Sequence, residues 1–387
     1  MKVYWLWLAG LNGIGPVTQR KLLEALETPE RIYLASAAEI SQIAGRAVAA
    51  ILTASRSLDS AKRQEEALDR LGIRLLTTDD PLYPEQAKCL SNAPVILYYR
   101  GRIRPKGQSI GIVGSRRCTP YGKQVAVEAA TYLAEQGVTV ISGMAKGIDS
   151  YAHTACLKAG GYTLAFLGNG VDVCYPAEHR GLMEEIIHHG AVISEYPPYT
   201  RPRQEYFPIR NALISAWSDK VLIVEAAEKS GALITAQKAI EQGREVFSVP
   251  NSIYAKESAG TNKLLSVGAK AYLGPEFLFA SDPAQTADAA DCTSPVKPRH
   301  ARHTKKPSKK PSSIAKNNTG LATLVLTPLE QRILSRLTQP LSLSSLLDLT
   351  DGDMQSLLDW ICTMELEGKL KVKGQMVEAG SWGRTPK

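Results

Sequence analysis

The chain has 387 residues, 44% hydrophobic and 22% charged, a composition that suits two or three folded domains and excludes wholesale disorder. Its net charge of +8 resides entirely in Lys297, Arg299, Arg302, Lys305, Lys306, Lys309, Lys310 and Lys316, a stretch without acids, so pI alone implies no nucleic-acid partner for the folded parts. The six cysteines (Cys89, Cys118, Cys156, Cys174, Cys292, Cys362) form no Cys-x-x-Cys pair, which argues against a zinc site and fits reduced thiols in a cytoplasm.

Residues 1–75 read as a small helical domain. A single lysine precedes the apolar patch Val3–Ala9, no cleavage site follows it, and no apolar run reaches membrane length, so neither a leader nor a span is expected. Leu11-Asn12-Gly13-Ile14-Gly15-Pro16, followed by amphipathic Val17–Leu26, resembles a helix-hairpin-helix of the SAM-like kind. Ile40–Gly45 is a weaker second copy. Such hairpins hold phosphates or simply pack, and packing is the reading preferred here. Residues 59–71 read as one more solvated helix.

Residues 76–101, with Pro81, Pro84 and Pro94, read as an irregular connector into one or two strands around Val95–Tyr99. From 109 onward strands alternate with helices. Strands are expected at 109–114, 138–142, 162–167, 191–194, 220–225, 244–249 and 270–273. Helices are expected at 120–136, 149–159, 178–189, 208–217, 231–242 and 261–267. This alternation predicts an α/β core of extended Rossmann-like, doubly wound type, with a mostly parallel sheet covered on both faces. Sites in such sheets lie beyond the C-terminal strand ends.

The expected strand ends carry polar turns. Gly114, Ser115 and Arg116 follow the first, and Thr119 and Pro120 open a helix whose free N–H groups and dipole are expected to face the same point. Gly143, Lys146 and Gly147 follow the second, with Asp149 as a candidate helix cap. Asn169 follows the third, Arg210 and Asn211 open a later helix, and Ser230-Gly231 opens another. Any one of these suits a plain connection. Together on one sheet edge they make an anion-binding rim, in which Arg116 and Lys146 are expected to serve one phosphate.

Catalytic and nucleotide signatures are thin. The chain lacks Gly-x-Gly-x-x-Gly, the mononucleotide P-loop and the Gly-x-Ser-x-Gly elbow. His153 stands one helical turn after Asp149, a spacing that allows a local pair. No catalytic group, metal site or cofactor is read from these residues. Residues 281–322 read as a disordered basic linker. Residues 323–382 read as a winged-helix-like domain, with helices at 328–337, 342–348 and 353–367 and a hairpin over Lys369–Glu378. Its middle helix lacks Arg and Lys, so a protein contact is preferred to a DNA contact.

From about 80 to 274 the motifs resemble the DprA/Smf family of bacterial DNA-processing proteins. The resemblance rests on Val113–Arg116, Ser142–Asp149 with Ala152-His153, Tyr175-Pro176, Ser194–Pro197, Phe207–Asn211, Val224–Ala226, Ser230-Gly231 and Gly243–Val246. It implies a cytoplasmic single-stranded DNA-binding mediator of natural transformation, not an enzyme, which dimerises through its core and helps load a RecA-type recombinase. Gly114, Ser115, Arg116, Gly143, Lys146, Gly147, Arg210 and Asn211 would then form its phosphate-binding rim. Ala212 stands where the family usually has a second arginine, and Asn251 where it usually has glycine. The rival reading is a nucleotide sensor or hydrolase of a related fold using Glu225, although the Pro-Gly-Gly-x-Gly-Thr motif of such proteins is missing.

Overall fold

The runs Ile110–Val113, Val138–Ile141 and Val221–Val224 carry branched apolar side chains toward both faces, as strands covered on two sides require. In the computed structural model, which describes residues 2–90, 92–279, 341–342, 345–346, 370–373 and 376–379, they form the centre of a nine-stranded sheet. In chain order the core comprises β1 (Arg74–Thr77), a short helix Glu85–Lys88, β2 (Ile96–Gly101) and β3 (Ser109–Val113). There follow α1 (Pro120–Glu135), β4 (Thr139–Ser142), α2 (Ile148–Lys158), β5 (Thr163–Phe166), α3 (Arg180–His189) and β6 (Ala191–Ser194). The last elements are α4 (Tyr206–Trp217), β7 (Lys220–Ile223), α5 (Ala232–Glu241), β8 (Glu245–Ser248), α6 (Ala259–Ser266) and β9 (Lys270–Ala271).

The strand order is β1-β2-β6-β5-β4-β3-β7-β8-β9. The seven expected strands run parallel, β2 joins β6 antiparallel, and β1 pairs antiparallel with β2 at the sheet edge. Alternation along the strands divides the core. Ile112, Val140 and Leu222 pack with Ala126, Ala129 and Leu133 of α1, whereas Val113, Ile141 and Ile223 pack with Leu213 and Ile214 of α4 and Ala236 of α5. From β3 the chain proceeds to β4, β5 and β6 on one side, then crosses to β7, β8 and β9 on the other. Connections leaving β3 and β7 therefore diverge, which opens a crevice beyond their C-terminal ends.

The six N-terminal helices are Lys2–Ala9, Pro16–Leu26, Pro29–Leu34, Ala37–Ala44, Arg46–Ala54 and Asp59–Leu71. Their Leu8, Leu22, Ile40 and Leu52 share one hydrophobic cluster with Tyr98, Leu167, Met183 and Val192 of the sheet region. In the first hairpin Ile14 is buried, and the buried Gln19 amide donates to the Leu8 and Ile14 carbonyls, each at 2.9 Å. These contacts make the turn a packing unit. Asp59–Leu71 is less solvated than expected, because its Ala61 and Leu68 are buried.

Residues 1–294 form one compact unit and 295–387 another. In the second, Leu341–Ser342, Leu370–Lys373 and Met376–Ala379 make a three-stranded antiparallel sheet that contains the expected hairpin. Ser342, expected in a helix, instead pairs with Met376, and Ser345 and Leu346 are helical. The expected linker at 281–322 and the helices at 328–337 and 353–367 lie outside the described residues. Among the described residues no helix is long and apolar enough to cross a membrane.

Candidate functional site

The loops after β3 and β4 touch. The Ile148 amide donates to the Ser115 carbonyl at 3.2 Å. Gly147, at φ +78°, passes so close that a Cβ there would stand 2.2 Å from that same oxygen. The topology thus brings Ser115 and Arg116 against the loop of Lys146, thirty positions away in sequence. Ser115 Oγ accepts from the Arg117 amide at 3.2 Å and tightens the turn.

Thr119 caps α1 as expected, its Oγ1 accepting from Gly122 N at 3.1 Å, with Pro120 as the first helical residue. The expectation that this helix terminus faces an external anion is corrected. The buried Glu225 carboxylate occupies it, accepting from Thr119 N at 3.1 Å and from Thr119 Oγ1 at 2.6 Å. An internal anion already meets the positive dipole end.

Arg210 is buried at the floor of the crevice, 4% exposed. Its Nη1 donates to the Phe166 carbonyl at 2.6 Å and to the Gly143 carbonyl, and its Nε donates to Asn211 Oδ1 at 3.1 Å. A Cβ at Gly143 would lie 2.3 Å from Nη1, so glycine is what admits the guanidinium. Burial holds the Arg210 pKa down at about 10, opposed first by Asp149 and then reinforced by the repulsion of Arg116, so the group stays charged at neutral pH.

Asp149 does not cap α2, whose N-cap is Gly147. Its carboxylate reaches back to accept from Gly143 N at 3.2 Å and Ala145 N at 3.4 Å. Burial raises its pKa, opposed first by Arg210. The expected Asp149–His153 pair is also corrected. His153 Nδ1 meets Thr163 Oγ1 at 2.7 Å, and that hydroxyl donates to the Val140 carbonyl at 2.7 Å. With its proton committed, the hydroxyl can only accept from Nδ1–H, which leaves Nε2 buried without a partner.

Between these loops lies a cleft of about 790 Å³. Gly114, Ser115, Arg116, Arg210 and Asn211 line it, joined by Arg117, Arg203, Lys229, Ser230, Gly231 and the aromatic wall Tyr175 and Phe207. The Arg116 guanidinium lies 5.3 Å from the Phe207 ring centroid and, among the described residues, has no carboxylate partner. Asp149 is the only acid among the described residues lining the cleft, and its carboxylate is engaged by backbone amides. Gly143 and Lys146 line a small adjoining hollow that shares Arg116, Arg210 and Phe207, and Lys146 pairs there with Glu178. Gly147 serves the packing between loops.

Asn169 is not brought to the cleft. It is buried, and its amide donates to the carbonyls of Gly170 at 2.9 Å and Val173 at 2.7 Å, closing its own loop. Arg117, Arg203 and Lys229 line the cleft beyond the residues expected from the sequence. A visible signal existed for Arg117, beside Arg116, and for Lys229, beside Ser230-Gly231. None existed for Arg203, which sits in an irregular proline-rich loop.

Residues 74–281 match the family model described as DNA recombination-mediator protein A. The chain is 37% identical over 288 residues to Protein Smf of Synechocystis sp., covering 72% of each chain. It is 40% identical over 214 residues to the DNA processing protein DprA of Bacillus subtilis, covering 55% of this chain and 72% of that one. The X-ray structure of DNA processing protein A from Streptococcus pneumoniae superposes with a TM-score of 0.66 at 30% identity, over 73% of this chain and 98% of that one.

Proposed function

The chain belongs to the DNA recombination-mediator protein A family, and from that premise we propose that it is a non-enzymatic mediator that binds single-stranded DNA in the cleft between β3 and β7. The observation that carries this reading is the free Arg116 guanidinium laid against Phe207, in a cleft with further cations and no uncommitted acid among the described residues. Guanidinium groups bind phosphate oxygens bidentately, and aromatic faces accept bases of any identity. The strand's backbone would contact Arg116, Lys146 and the Ser115 hydroxyl, with Gly114, Gly143, Gly147, Arg210 and Asn211 shaping the wall. Asn169 would act only by supporting its loop.

A concave site with aromatic walls favours a single strand over a duplex, whose grooves are read by a protruding helix or ribbon. Protection of incoming DNA in natural transformation, delivery to a RecA-type recombinase and homodimerisation through the core complete the proposal, together with a cytoplasmic location. The three-stranded sheet near the C-terminus supports a winged-helix unit, for which a protein-contact role is proposed. The nucleotide-hydrolase reading relied on Glu225, and the engagement of that carboxylate by Thr119 weighs against it.

Titration of matched single-stranded and duplex oligonucleotides at several salt concentrations tests the proposal. Preference for the single strand, with affinity falling steeply as salt rises, is expected. Equal affinity for duplex, or no salt dependence, would contradict it.

A further inference from the structure

The loop between β6 and α4 contains a residue that neither the fold nor the cleft explains. Tyr199 adopts φ +65°, a left-handed conformation that is rare and strained for a bulky side chain. Its backbone is held there by Asp172, whose carboxylate oxygens accept from the Tyr199 amide at 3.0 and 2.9 Å. The adjacent Thr200 carbonyl accepts from Gly170 N at 2.9 Å, which pins the loop a second time. The side chain so presented is 66% exposed. Among the described residues its ring and hydroxyl have no hydrogen-bonding, aromatic or cationic partner. Strain is therefore maintained at a residue whose ring is largely exposed and, among the described residues, makes no polar, aromatic or cationic contact.

The surroundings indicate what the ring meets. Pro202, Arg203 and Gln204 of this loop line the cleft, and Pro202 is separated from Tyr199 by no more than about 11 Å of extended chain. Arg201 and Arg203 flank Pro202 in the chain, the Arg203 guanidinium lies 5.8 Å from the Tyr206 ring centroid and 3.8 Å from Glu205, and Tyr206 stacks on Tyr196 at 4.0 Å at the base of the loop. An exposed aromatic among arginines beside a phosphate-binding cleft has the makeup of a base-stacking platform. We propose that Tyr199 is a nucleobase contact on the lip of the cleft, where a base of the bound strand stacks after its backbone leaves Arg116. This rests on the single-stranded DNA reading above and adds to it a contact with bases rather than phosphates.

The test uses the full chain and fluorescence anisotropy with two probes, a thymidine strand of about twenty nucleotides, longer than the usual reach of one such site, and an abasic strand of the same length. Tyr199→Gly accommodates the left-handed backbone and removes the ring. It is expected to weaken binding of the thymidine strand about fivefold or more, with the Tm at or above the wild-type value. Affinity for the abasic strand and the salt dependence should be unchanged, because no phosphate contact is lost. Tyr199→Phe should bind like wild type. If Tyr199→Gly binds the thymidine strand as wild type does, the ring serves another partner, such as a protein, and this inference is overturned while the DNA reading stands. If wild type binds neither probe, the DNA reading itself fails and the Tyr199 assignment falls with it.

Discussion

Lys146 is paired with Glu178 beside the cleft, whereas Arg116, which lines the same hollow, has no carboxylate partner among the described residues. The Lys146 hydrogen bond, first of all, holds the Glu178 carboxyl below its ordinary range. A phosphate arriving at Lys146 must therefore compete with an ion already in place, and one arriving at Arg116 need not. Glu178→Gln should raise affinity for single-stranded DNA about twofold to threefold at low ionic strength, the effect fading as salt screens the exposed pair. Anisotropy titrations of wild type and Glu178→Gln across a salt series measure this. Identical affinities at the lowest salt would mean that Lys146 takes no part.

Arg210 was expected to bind phosphate, yet its burial gives it a second task. Removing its side chain strands the Gly143 and Phe166 carbonyls at the floor of the cleft. Arg210→Ala is expected to cost roughly 2–6 kcal/mol of stability, since each of the two orphaned buried acceptors costs about 1–3 kcal/mol. Gly143→Ala should perturb the same contact from the other side, because its methyl group would collide with the guanidinium. Urea denaturation of both variants checks this. Unchanged midpoints with lost DNA affinity would show that Arg210 acts on the ligand alone.

His153 predicts an acid-sensitive step. Burial, then Arg210 and His179, depress its pKa to about 3 from an ordinary 6.5. The unfolded chain binds this proton more readily than the folded one, so stability is full above about pH 6.5 and falls as pH drops toward 3. The total effect is a few kcal/mol. His153→Gln cannot titrate, so its stability should fall less than that of wild type between pH 6.5 and 4. Parallel stability curves for the two proteins would refute the assignment.

Much of the core was legible because its periodicities are strong. Branched apolar runs marked seven strands, and the order of strands and helices pointed to a parallel sheet, beyond whose C-terminal strand ends the cleft lies. β1 was missed because Arg74–Thr77 continues directly from a helix, with no turn residue beyond Gly72 to separate them. Gly114, Ser115 and Arg116 were readable as cleft residues because they follow a strand end, and Arg210 and Asn211 because they lie near the start of the expected helix, although α4 begins earlier, at Tyr206. Side-chain direction was not readable. Asn169, in a loop after β5, and Arg210, in the second turn of α4, look equally suitable in sequence, yet one closes its own loop and the other runs beneath the cleft. Glu225 lies just beyond β7 in a position that looks catalytic, and only the placement of the α1 N-terminus against it reveals a helix-terminus partner. Tyr199 gave no signal, because a left-handed tyrosine cannot be told from any other loop tyrosine until the Asp172 contact is seen.

The most direct test of the account is the affinity of Arg116→Ala for single-stranded DNA, measured alongside its Tm. A charge-assisted contact contributes roughly 1.5–3 kcal/mol, so a tenfold to hundredfold loss is expected, with the Tm unchanged because the side chain is exposed. Arg116→Lys should recover part of the loss, since an ammonium keeps the charge but not the bidentate fork. Wild-type affinity in Arg116→Ala, with normal stability, would contradict the assignment of the cleft as the DNA site.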